Sequence, residues 1–102
     1  MLEGTGRTTR MLKEAVALSR EGKSVYIVAA NTEHVRTLRI MLSREDSLYI
    51  NIDTPEGLGN FEWESMTLRN AWPNCVVLVD HYTIEYRFHA MLAMLHKYDK
   101  EV

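Results

Sequence analysis

Two short, almost uninterrupted apolar runs set the architecture of this chain: Ser24-Val25-Tyr26-Ile27-Val28-Ala29-Ala30 and Cys75-Val76-Val77-Leu78-Val79-Asp80. Both are rich in β-branched residues and lack the polar residue at every second position that marks a half-exposed strand. Such runs suit strands of a parallel sheet covered on both faces. Parallel neighbours need a long crossover, normally a helix, and the flanking segments have helical spacing. Over 8–21, Met11, Leu12, Ala15, Val16 and Leu18 fall on one side of a helix, and Gly22 follows where a left-handed residue closes it. Asn31 and Thr32 can cap a second helix over 33–43, with Val35, Leu38, Met41 and Leu42 inward and Arg36 and Arg39 outward. Leu48, Ile50 and Ile52 alternate with Tyr49 and Asn51, which predicts a half-exposed or edge strand over 47–52.

The second half of the chain is less regular. Residues 53–60 are dense in turn formers and read as a loop; in 61–70 Trp63, Met66 and Asn70 suit a short helix, the favoured reading, while Phe61, Trp63 and Ser65 could alternate as a strand; Pro73 breaks the chain before the last strand. That strand, 75–80, has the pattern of a buried central strand presenting Asp80 at its C-terminal edge. A terminal helix over 82–97 follows, with Ile84, Phe88, Met91, Leu95 and Tyr98 spaced by four, three, four and three residues. The resulting alternation defines the expected fold class, α/β: a small two-layer or three-layer domain with a mostly parallel sheet of about three strands flanked by helices.

The segment before the first helix, Glu3-Gly4-Thr5-Gly6-Arg7-Thr8-Thr9-Arg10, places glycines, a cation and a hydroxyl pair where a loop enters a helix N-terminus. That combination suits phosphate, because first-turn amides and the helix dipole both favour an anion. It resembles the C-terminal half of the Walker A loop of P-loop NTPases, with Gly4, Gly6 and Thr8 matching and Arg7 standing where the family has lysine. Cys75–Asp80 resembles the family's Walker B segment, and the start of the chain is similar to that of small P-loop proteins of bacterial viruses. The resemblance implies ATP or another nucleotide with Mg²⁺ as ligand. Gly4, Thr5, Gly6, Arg7, Thr8, Thr9 and Asp80 would form the site, and Thr8 and Asp80 would serve the metal.

Three features depart from the family. Only Met1, Leu2 and Glu3 precede Gly4 in this sequence, so the strand that normally leads into the loop is missing. Arg7 brings a wide planar guanidinium in place of a compact ammonium. The glutamate that follows the Walker B aspartate in one large branch of the family is replaced by His81. Little or no hydrolysis is therefore expected, and no catalytic residue is assigned. The alternative is a non-enzymatic interaction protein, such as a virus-encoded inhibitor, that binds a partner through an exposed sheet edge or an aromatic loop.

Length and composition narrow the remaining classes. A chain of 102 residues with 46% hydrophobic and 25% charged residues suits one globular domain, here 1–102. No apolar run reaches the ~18–20 residues of a membrane span, and no secretory pattern opens the chain, so the expectation is a cytoplasmic protein without membrane partners. The net charge of −2 disfavours a nucleic-acid binder and leaves only a local patch at Arg7, Arg10 and Lys13. Cys75 cannot form an internal disulfide and reads as a small buried hydrophobe. His81, His89 and His96 lack the compact spacing of a metal site. A nucleotide and a protein partner, including a second copy paired through an exposed strand edge, remain the expected ligands.

Overall fold

The computed structural model describes residues 6–71 and 73–100. The expectations placed on Gly4 and Thr5 lie outside the described residues. The chain forms a small α/β domain around a three-stranded parallel sheet. Its elements are α1 (Arg7–Arg20), β1 (Ser24–Val28), α2 (Thr32–Met41), α3 (Arg44–Tyr49), β2 (Ile50–Asp53), α4 (Pro55–Leu58), β3 (Phe61–Glu62), β4 (Thr67–Leu68), β5 (Cys75–Val79) and α5 (His81–Lys100).

The sheet order is β2-β1-β5, with β1 parallel to both neighbours. Register places Val25 beside Ile50 and Val76, and Ile27 beside Ile52 and Leu78. Successive side chains alternate between faces, so these residues share one face. That face forms the core with Leu12 and Ala15 of α1 and Leu38 of α2. The opposite face carries Tyr26, Val28, Asn51 and Val77: Val28 is buried, Tyr26 and Val77 are half-buried and Asn51 is exposed. The main core lies on one face, and the expected cover on the other is partial: it buries Val28 and leaves Tyr26 half-buried.

The place of β5 is also corrected. It is an edge strand whose five residues are all half-buried, and β1 is the central strand. Among the described residues no strand precedes α1, and none pairs with the outer edge of β5. Gly22, with φ of +90°, closes α1 as the sequence indicates, and the Asn31 side chain caps α2 by accepting the His34 amide.

Three local assignments change. Residues 47–49, expected to begin the strand over 47–52, belong instead to α3 because Ser43 caps it: Ser43 Oγ accepts the Asp46 amide and donates to the Asp46 carboxylate. Only Ile50 to Asp53 continue as strand. Within the expected loop, Thr54 caps the single turn α4, which starts on Pro55. Residues 61–70 form the β3–β4 antiparallel pair rather than a helix. Met66 and Asn70 adopt positive φ there, at 56° and 57°, a conformation that no right-handed helix accommodates.

Candidate functional site

Parallel strands bring their C-terminal ends to one edge of the sheet, and residues of α1, α2 and β5 converge there. Gly6 enters α1 in left-handed geometry, φ 74° and ψ −6°, which glycine adopts at little cost. Among the described residues no side chain caps this N-terminus, and a helix leaves the amides of its first turn without intrahelical acceptors. Within that first turn, the Thr8 hydroxyl donates to Asp80 Oδ1 at 3.0 Å. The two residues are separated by 72 positions in the chain, and both are 1% exposed.

Asp80 takes a second partner that the sequence reading missed. His34, in the first turn of α2, lies 3.0 Å from Asp80 Oδ2 through Nε2. Its Nδ1 accepts the Ala30 amide at 2.8 Å. An acceptor at Nδ1 assigns the ring proton to Nε2, so the neutral imidazole donates to the carboxylate. Sequence did carry a signal for this: His34 follows the Asn31 cap by three residues and precedes the core residue Leu38 by four, which puts it on the inward side of α2.

His81 approaches the same carboxylate, with Nδ1 3.4 Å from Asp80 Oδ1 and no hydrogen bond to that buried nitrogen. The first turn of α5 is tied to β1 as well, since the Thr83 hydroxyl donates to the Val28 carbonyl at 2.8 Å. The Tyr82 ring meets His34 edge-on at 4.9 Å between centroids. The result is a buried polar junction: Asp80 accepts from Thr8 on α1 and His34 on α2 while standing between β5 and α5.

Of the residues expected to form one site, Thr8 and Asp80 come together, with Gly6 immediately before them. Thr9 does not join them. It lines a groove of about 300 Å³ with Leu12, Lys13, Val16, Met41 and Leu42, on the side of α1 facing α2 and α3. Arg7 begins α1 and is exposed. Among the described residues, no three His, Cys, Asp or Glu side chains are arranged to hold a metal ion. His89 and His96 lie on the exposed part of α5, far along the helix from His81. Cys75 is half-buried, and burial pushes its thiol up, which disfavours the reactive thiolate.

Burial pushes the Asp80 carboxyl up, but the hydrogen bonds from His34 and Thr8 and the electrostatic attraction of the neighbouring His34 and His81 rings outweigh it and hold the group below the usual aspartate range. A carboxyl depressed in the folded state binds fewer protons there than in the unfolded chain. Its stabilisation is full above the unfolded value, about pH 4, and is lost as pH falls through the folded value. Denaturant titrations between pH 2.5 and 6 should show stability falling on the acid side. Asp80→Asn should flatten that limb, and an unchanged acid limb would remove Asp80 as its source.

Comparison of the chain with protein-family models, curated proteins and solved structures finds no match.

Proposed function

We propose that this chain is a degenerate P-loop-like protein that binds the phosphates of ATP or another nucleotide, with Mg²⁺, at the N-terminus of α1, and hydrolyses it little or not at all. The supporting observation is the Thr8–Asp80 hydrogen bond. It joins the threonine of the glycine loop to the carboxylate at the end of β5, the two groups that a phosphate-bound Mg²⁺ requires. The residues suit the ion chemically: with its proton given to Asp80, Thr8 Oγ1 keeps lone pairs for a hard cation, and Asp80 can accept from the cation's waters. Mg²⁺, when bound, would offset phosphate charge. Gly6 and the first-turn amides would receive the phosphate oxygens, and Arg7 would add a charged fork.

Both Thr8 and Asp80 are nearly inaccessible, so binding on this reading includes a local displacement of the side chains that cover them. The histidine after Asp80 turns its Nδ1 toward that carboxylate. A group held there is poorly directed for activating an external water, which supports binding without efficient turnover.

Thermal unfolding with and without millimolar Mg²⁺-ATP, Mg²⁺-ADP and Mg²⁺-GTP tests the proposal. A ligand at 100 times its dissociation constant adds about 2.7 kcal/mol, which corresponds to a rise of roughly 10 °C or more for a domain of this size. The shift should require Mg²⁺ and disappear in Asp80→Asn. A folded protein that shows no shift with any of the three nucleotides would sink the reading.

A second reading, a protein partner added along the outer edge of β5, draws support from that strand's half-buried apolar residues and its unpaired edge among the described residues.

A further inference from the structure

The four-three-four-three spacing along the last helix is not used by the phosphate site. In α5, Ile84, Phe88, Met91 and Leu95 continue the heptad rhythm into Tyr98. The structure leaves the stripe uncovered: from Ile84 to Lys97 every residue except Leu92 is exposed. Ile84, Phe88, Met91 and Leu95 are between 45% and 58% exposed, and the neighbouring Met94 is 60% exposed.

The helix rests on the rest of the chain through another side. Thr83, Tyr86, Arg87 and Ala90 border the cavity shared with Ala30, Pro55 and Trp63, and the Arg87 guanidinium stands 4.4 Å over the Trp63 ring. Beyond this contact α5 projects. The described residues extend 53 Å along their longest axis, and their radius of gyration is 15.0 Å, against about 13 Å for a compact domain of this length.

We propose that α5 pairs with α5 of a second copy of this chain along the Ile84–Phe88–Met91–Leu95 stripe. Three observations select this occupant. Apolar residues alternating three and four apart keep one seam facing a partner helix, the pattern for knobs-into-holes packing, whereas a flat sheet face makes no such demand. The stripe carries no charge at any of its four positions, and Leu92 and Met94 widen it, so it can meet an identical stripe across a two-fold axis without placing like charges in the seam. Five large side chains about half exposed offer on the order of 500 Å² per copy, and about 1,000 Å² for the pair, which is about the area a specific interface needs. This inference is independent of the phosphate reading and differs from pairing through the edge of β5.

Sedimentation equilibrium of the full chain, from 1 to several hundred micromolar (roughly the span that separates weak from stable pairs), tests the proposal. The wild type should approach twice its 11.8 kDa chain mass. Phe88→Glu and Leu95→Glu, both at exposed positions, should keep the wild-type circular dichroism and weaken self-association by on the order of 100-fold. A monomer throughout that range would overturn the proposal. So would a dimer that both substitutions leave intact, since that result would locate the interface elsewhere, with the edge of β5 as the next candidate.

Discussion

Asp80→Ala should lower the melting temperature by about 15 °C or more, because truncating one buried carboxylate leaves two donors without acceptors. The Thr8 hydroxyl and His34 Nε2 both donate to Asp80, and all three residues are 1% exposed. An orphaned buried donor costs about 1–3 kcal/mol, so the pair amounts to roughly 2–6 kcal/mol. That is a large share of the ~5–15 kcal/mol that holds a domain folded, and 1 kcal/mol moves the midpoint of a domain this size by about 4–8 °C. Asp80→Asn should behave differently. Its amide oxygen can accept from His34 and its amide nitrogen can donate to Thr8 Oγ1, which accepts as well as donates. The asparagine variant should therefore fold with a modest loss of stability while lacking the negative charge that Mg²⁺ needs. Equal melting temperatures for wild type and Asp80→Ala would mean that the junction contributes nothing to stability.

The second large effect is expected at His34. Its ring satisfies the Ala30 amide through Nδ1 and Asp80 through Nε2, and its side chain is fully buried. His34→Ala removes both partners and opens a cavity, and the combined cost should be about 3–5 kcal/mol. The two losses should not add. Once Asp80 is alanine, His34 has already lost half its role, so the double variant should be less damaged than the sum of the singles by about 1–3 kcal/mol. Chemical denaturation of the four proteins in the cycle measures this coupling. Additive effects would show that the contact is close in space but energetically idle.

How far the sequence discloses this arrangement depends on whether each signal is local. The runs 24–30 and 75–80 announced parallel strands because their apolar content is continuous, and Asn31 and Gly22 announced helix ends because capping acts within a few residues. The same runs could not say which strand is central. That depends on what lies beside β5, a matter of tertiary pairing. Residues 47–49 depart from the expected strand because Leu48 extends the alternation of Ile50 and Ile52, although Ser43 and Asp46 already spell a helix cap. Phe61 to Asn70 is ambiguous in pattern, and two non-glycine residues with positive φ decide it, which composition does not reveal.

The site divides in the same way. Thr8 and Asp80 were legible as separate motif residues. His34 was legible only as an inward position on α2, four residues before Leu38, and only the fold brings it to the carboxylate. Thr9 shows the converse: adjacent to Thr8 in sequence, it is rotated by one helical step and borders the groove on the other side of α1. The apolar rhythm of α5 was plain in the sequence, but its exposure was not. Amphipathic spacing reports that a face needs covering and leaves open whether the chain itself covers it.

The most direct measurement is a calorimetric titration of Mg²⁺-ATP into the wild-type chain and into Thr8→Val, which keeps the side-chain shape at α1 and removes the hydroxyl. The expected result is saturable heat for the wild type that vanishes without Mg²⁺ and is lost in Thr8→Val, with both proteins folded. No saturable heat from the wild type at millimolar nucleotide, or the same affinity in both proteins, would contradict a phosphate site built on Thr8 and Asp80.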